Sequence, residues 1–195
     1  MKKDIVISGV GGQGIISIAY VLGSAALKDG LHFKQSEVHG MSQRGGAVES
    51  HLRMSDQPIH SDIIPEGAAD LILSVEPVEA LRYLKFLAPG GTVLASSAPF
   101  VNIPDYPDME TVKKAFAALP KAHLIDADGL AKQAGNARTA NIVMTGAASL
   151  LLPLKEESLL FFIEESFKAK GEKLVEINTK AFQAGRDAAK GLGIA

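Results

Sequence analysis

The sequence predicts an α/β fold: one three-layer domain with a mainly parallel sheet, helices on both faces, an antiparallel strand pair, a Rossmann-like glycine loop and a helical C-terminus. Three observations predict it. Short apolar runs rich in β-branched residues alternate with stretches of helical period, and the first run ends in glycines that open a helix. Between them, a polar stretch across residues 31–55 alternates as strands do, with no helix inside it. The length, 195 residues, suits a single domain spanning 1–195 whose core needs no staples.

"DIVISGV" (4–10) reads as a buried strand, and the segment from Gly14 to Leu27 keeps Ile15, Ile18, Ala19, Leu22 and Ala26 at helical spacing before Gly30 stops it. "LHFKQSEVH" (31–39) is β-like. In "AVESHLRMS" (47–55), Val48, Leu52 and Met54 alternate with Glu49 and Arg53, the pattern of a half-exposed strand. A turn near Asp56 to Pro58 is expected to send the chain back through "IHSDII" (59–64). "DLILSVE" (70–76) predicts a strand, and "PVEALRYLKFL" (77–87) a helix with proline in its first turn. "PGG" (89–91) predicts a turn before the strand "TVLASS" (92–97). A helix over 108–119 and a strand over 121–127 follow. The remainder is mostly helical, broken at Pro153 and near Gly171, with a last helix over roughly 174–189.

Composition removes several function classes. With no cysteine, the chain has no disulfide, thiolate metal site or cysteine-ligated iron-sulfur cluster. A net charge of −2 offers no basic field for phosphate backbones, so no nucleic acid partner is expected. The most apolar run, Leu150 to Leu154, is followed at once by Lys155, Glu156 and Glu157, far short of the roughly 18 residues a span needs. The first residues lack a secretory pattern, so the expectation is a cytoplasmic protein without membrane contact.

"SGVGGQG" sets Gly9, Gly11 and Gly14 at G-x-G-x-x-G spacing between a predicted strand and a predicted helix, with Gly12 and Gln13 inside the loop. In that pattern the first glycine permits the turn, the second lets an anion or another backbone approach, and the third lets helix and strand pack closely. The helix start favours negative charge. A bound NAD(P) would want an acid at the end of the second strand. Glu37, 23 residues beyond Gly14, could serve, although the following segment looks like a β-pair rather than a second βαβ unit. Tight strand-helix packing without any ligand also explains the glycines.

"EVHGMSQRGGAVES" has a binding loop's profile: Gly40, Gly45 and Gly46 for close approach, with Glu37, His39, Gln43 and Arg44 supplying donors and acceptors. Arg44 offers a planar fork for a carboxylate or phosphate. A solvated surface loop has the same composition. His39, His51 and His60 each fit structural hydrogen bonding as well as chemistry.

"GVGGQGI" together with "SEVHGMSQRGGAV" resembles the gamma-type domain of the thiamine-diphosphate-dependent 2-oxoacid:ferredoxin oxidoreductases, and within them the small (beta) subunit family of indolepyruvate:ferredoxin oxidoreductase. "ADLILSVEPVEALRYL", "PGGTVLASS", "DYP" (105–107) and "NIVMTGAASLLLPL" fit the same pattern, so the resemblance spans nearly the whole chain. It implies oxidative decarboxylation of an aryl 2-oxoacid with coenzyme A as cosubstrate and ferredoxin as acceptor. It also implies that thiamine diphosphate, Mg and the iron-sulfur clusters belong to a large partner subunit, through which ferredoxin is reached. The sequence agrees: cysteine is absent, and "DADGLAKQAGN" (126–136) has the wrong order and spacing for a thiamine-diphosphate signature. The chain alone should therefore be inert. It is assigned no catalytic residue and no metal ligand, and its cofactor-facing residues are Gly9, Gly11, Gly12, Gln13, Gly14, Glu37, His39, Gln43, Arg44 and Gly45. The two segments should lie side by side at the carboxyl ends of strands, Arg44 meeting an anionic group while Gln13 and Gln43 add neutral hydrogen bonds. A stand-alone NAD(P) reductase and a ligand-free scaffold remain the other readings.

In "EESLLFFIEESFKA" (156–169), Leu159, Phe162, Ile163 and Phe167 form the expected core stripe, and Leu160 and Phe161 point elsewhere. A helix apolar on a second face is either wedged inside the protein or meets another subunit. Without that partner, the same surface allows a homodimer.

Overall fold

The computed structural model describes residues 1–39 and 45–194. A six-stranded sheet in the order β2-β3-β1-β4-β5-β6 forms its centre. The strands are β1 (Lys2–Val10), β2 (His32–His39), β3 (Ala47–Ser55), β4 (Ala69–Ser74), β5 (Leu87–Ser96) and β6 (Ala122–Ile125). β1, β4, β5 and β6 run parallel, while β3 runs antiparallel to both of its neighbours.

The alternating period of the strands sends side chains to two cores. Ile5, Ile7, Leu71, Leu73 and Leu94 face α1 (Ile15–Lys28), α5 (Ala140–Ser149) and α7 (Glu172–Gly191). Val6, Ile72, Val93 and Ala95 face α2 (Pro77–Arg82) and α3 (Met109–Ala117). α4 (Ala127–Ala134) and α6 (Glu156–Lys168) complete the first layer. Caps set several of these helices: Glu76, Asp108 and Asp126 each accept a first-turn amide of α2, α3 and α4, and Pro77 opens α2. α6 has no cap of its own. Asp29, just past α1, reaches across to accept from Lys155 N at 2.7 Å and Ser158 Oγ at 2.5 Å.

α5 and α7 touch backbone to backbone. A Cβ on Gly146 would lie 2.0 Å from the Phe182 carbonyl oxygen, and one on Gly185 would lie 1.9 Å from that of Val143.

β3 is not the half-exposed strand its alternation predicts: the face that carries His51 and Arg53 is covered by residues 61–64, and ladders close both edges. Its charge is neutralised across the strand: Arg53 grips the fully buried Asp4 with both Nε and Nη2, at 2.9 and 3.0 Å. The same guanidinium donates to the carbonyls of Ser61 and Ile63, and His51 Nδ1 accepts from Ile64 N at 2.8 Å. Side chains of β3 thus satisfy the 59–64 segment, which makes no strand. "PGG" is no turn either; it lies within β5 at a register irregularity, with Gly90 at φ +81°. α2 is shorter than its period suggests, since residues 84–86 tighten into a 3-10 turn and Leu87 already pairs with Ala69. On α6, Leu159 and Ile163 are fully buried, but Phe162 and Phe167 only partly so; Leu160 packs partly on the core and Phe161 is exposed.

Candidate functional site

The chain enters β2 and β3 on one side of β1 and β4 to β6 on the other, so the sheet order reverses between β1 and β4, where open α/β sheets hold ligands. The glycine loop follows β1 at this point. Gln13 N donates to Val10 O and Gln13 Oε1 accepts from Val10 N at 2.8 Å, closing the turn, while Nε2 reaches Val75 O at 3.5 Å. Gln13 is therefore occupied with the loop's own backbone.

Each glycine has its own physical reason. A Cβ on Gly9 would lie 2.5 Å from Val75 Cγ2 and 2.9 Å from Ile15 Cδ1, so Gly9 serves strand-helix packing rather than the turn. Gly12 supplies the turn, at φ +103° with open space around it. Gly14, at φ +84°, begins α1 and is crowded by Asn141 of α5, whose Nδ2 would lie 2.6 Å from an added Cβ. Gly11 is tied to the far end of the polar segment: its N donates to Gly46 O at 2.8 Å, and Gly45 N donates to Gly11 O at 3.2 Å.

These contacts shape a cleft of about 460 Å³ lined by Gly11, Gly12, Gly14, Ile15, Ile16, Ser17, Glu37 and Val48. Among the described residues no side chain caps the start of α1. Its first turn lines the cleft and favours an anionic group. Glu37 lies opposite Ser50 in the sheet, and its Oε2 is buried with no hydrogen-bond partner among the described residues. The cleft thus offers a carboxylate acceptor beside a helix start. His39 ends β2 opposite Val48. Gln43 and Arg44 lie outside the described residues, as does Gly40.

The adjoining ends of β4 and β5 hold a network that periodicity does not reveal. Glu76, fully buried at the end of β4, accepts from Glu79 N at 2.7 Å, from Phe100 N at 3.3 Å and from the Tyr106 hydroxyl. Burial, and then the hydrogen bond to Glu76, push the Tyr106 phenol well above its usual range, so it remains a donor. Burial raises the Glu79 carboxyl against the lowering effect of Arg82 at 3.1 Å, and burial with the Glu49 charge lifts Tyr83 to about 12. Asn102 donates to Gly45 O at 2.7 Å. "SVEP", "DYP" and "NIVMTG", which the sequence shows without a role, supply Glu76, Tyr106 and Asn141. Among the described residues no group of three or more His, Asp or Glu side chains could hold a metal ion, and no helix is long and apolar enough to cross a membrane.

The chain that forms this glycine-lined cleft belongs to a known class, the pyruvate ferredoxin/flavodoxin oxidoreductase family, which it matches over residues 4–188. It is 42% identical to the indolepyruvate oxidoreductase subunit IorB of Pyrococcus horikoshii, over 97% of this chain and 98% of that one. The keto/oxoacid ferredoxin oxidoreductase gamma subunit of Geobacter sulfurreducens superposes with a TM-score of 0.71 at 28% identity, covering 97% of this chain and 99% of that one. The fold also recurs in the 2-oxoglutarate:ferredoxin oxidoreductase of Magnetococcus marinus, solved with 2-oxoglutarate, coenzyme A and succinyl-CoA bound (TM-score 0.80, 24% identity); the chain covers 32% of it.

Proposed function

We propose that this chain is the small, non-autonomous subunit of a cytoplasmic 2-oxoacid:ferredoxin oxidoreductase acting on an aryl pyruvate, with indolepyruvate as first candidate. The end-to-end identity of 42% with an indolepyruvate oxidoreductase subunit carries the reading. The enzyme would convert the oxoacid and coenzyme A to acyl-CoA and carbon dioxide, passing the electrons to ferredoxin. Thiamine diphosphate would supply the carbanion chemistry and iron-sulfur clusters would carry the electrons; both would fall to a large subunit, because this chain has neither the cysteines that ligate clusters nor, in residues 126–136, the order and spacing of a thiamine-diphosphate signature.

This chain's residues would complete the pocket. The start of α1 favours a carboxylate or phosphate of substrate or coenzyme A, and Arg44 would add a planar, charge-assisted contact to it. Glu37 would accept from a hydroxyl or amide donor on the same ligand, with Ile15 and Val48 as the apolar wall beside it. The single domain of residues 1–195 would act as one body in the complex.

Coexpression with a cysteine-rich, thiamine-diphosphate-binding subunit tests this. Anaerobic, coenzyme A-dependent reduction of ferredoxin by indolepyruvate is expected from the pair and from neither chain alone. Oxidation of NADPH by the isolated chain with a carbonyl substrate would overturn the reading in favour of a stand-alone reductase. Full turnover by a pair carrying Arg44→Ala would reduce the chain to a scaffold.

A further inference from the structure

The connection between β5 and α3, residues 97–108, crosses the carboxyl edge of the sheet beside the cleft, and three features make it more than a surface loop. Its anchor is buried. One carboxylate oxygen of Glu76 takes both Phe100 N and the Tyr106 hydroxyl, while the other caps α2, so residues from two points of the loop converge on a side chain that β4 and α2 hold rigid. Its middle reaches the cleft: Asn102 Nδ2 donates at 2.7 Å to Gly45 O, and Gly45 and its neighbour Gly46 exchange two backbone bonds with Gly11 in the glycine loop. Its apolar side chains point outward, with Phe100, Val101 and Ile103 exposed by 42, 71 and 42%. Packing of these three side chains therefore does not hold the middle of the loop in place. The hydrogen bonds do.

We propose that residues 97–108 form a strap that positions the cleft wall, with Glu76 and Tyr106 as its anchor and Asn102 as the hook that holds Gly45 against Gly11. Gly11, which lines the cleft, and Gly45, which backs it, have no side chains with which to fix this part of the wall, and Gly45 at φ +77° has open space around it. An external hydrogen bond is thus the direct way to restrict it. Glu76, Tyr106 and Asn102 are positioning residues: they act on the wall, not on the ligand. Any effect on turnover rests on the functional reading above, whereas the positioning role stands on geometry alone.

Glycine-selective ¹⁵N labelling of the full chain gives a direct test, since each of its 19 glycines is its own probe. Asn102→Ala and, separately, Tyr106→Phe should speed amide hydrogen exchange at Gly11 and Gly45 by about fivefold or more, the scale of one lost hydrogen bond. Gly146 and Gly185, in the helical layer, should keep their rates. Both substitutions are mild: Asn102 is exposed, and phenylalanine keeps the ring of Tyr106. Unchanged exchange at Gly11 and Gly45 in either variant would overturn the proposal, as would a uniform acceleration of all glycines, which would mark global destabilisation. In the reconstituted pair, the same variants should raise KM for substrate or coenzyme A several-fold while kcat stays near wild type. If wild type and partner give no turnover while the two amides still respond, the functional reading fails and the strap stands.

Discussion

Replacing Gly185 by alanine tests how α5 and α7 are held. The new Cβ would lie 1.9 Å from Val143 O, 2.8 Å from Val143 C and 3.0 Å from Ala147 N, all backbone atoms that cannot rotate away. Reaching an ordinary carbon-oxygen contact of about 3.3 Å requires α7 to retreat by about 1.4 Å. A gap of about 1 Å already forfeits up to roughly half of the dispersion attraction between the facing atoms. Overpacking of this kind costs about 3 kcal/mol, from which the helix preference of alanine over glycine returns about 1. The net loss of about 2 kcal/mol lowers the midpoint by roughly 4 to 8 °C in a chain of this size. Gly191→Ala in the same helix is the control, because nothing lies within 4 Å of its added Cβ. It should be neutral or stabilising by up to about 1 kcal/mol. The chain has no tryptophan, so unfolding is followed by far-ultraviolet circular dichroism. A Gly185→Ala midpoint equal to or above that of Gly191→Ala refutes the backbone contact.

Arg53→Met leaves the fully buried Asp4 with the exposed Lys2 as its one charge partner among the described residues, and urea titration should show a loss of about 3 kcal/mol. Asp29→Ala removes the borrowed cap of α6 and should cost about 1 kcal/mol by the same measurement, with Asp29→Asn recovering part of it. Tyr83 holds its proton to about 12 in the folded state, against about 10 when unfolded. Its contribution is therefore complete below about pH 10 and lost as pH rises towards 12, so the urea midpoint of wild type should fall more steeply above pH 10 than that of Tyr83→Phe; parallel curves would contradict the assignment.

The parts of the fold that were legible are those decided by neighbours in sequence. Apolar runs marked β1 and β4, and the glycine spacing marked the β1–α1 turn, because strand burial and turn geometry are local in both cases. β3 was legible as a strand but not as one covered on both faces, since its Arg53 is neutralised by Asp4, 49 residues away. The "PGG" stretch failed as a turn because pairing with β4 carries the strand through it as a bulge. At the site, the pattern brings Gly9 to Gly14 together. Yet the role of Gly9 depends on Val75, and that of Gly14 on Asn141, 127 residues distant, and no spacing rule encodes either. The anchor of the strap joins Glu76 and Tyr106 across 30 residues through one hydrogen bond, which leaves no periodic trace.

The place of β1 in the sheet bears on how the protein is made. β1 leaves the ribosome before either of its partners, yet both of its edges are closed only by β3 and β4, which end at Ser55 and Ser74. At ordinary synthesis rates of roughly 5 to 20 residues per second, Ile5, Val6 and Ile7 spend on the order of 4 to 15 s as an open, greasy ribbon. That interval is when chaperones have the most to protect, and nascent chains halted before Ser74 are the ones that should precipitate.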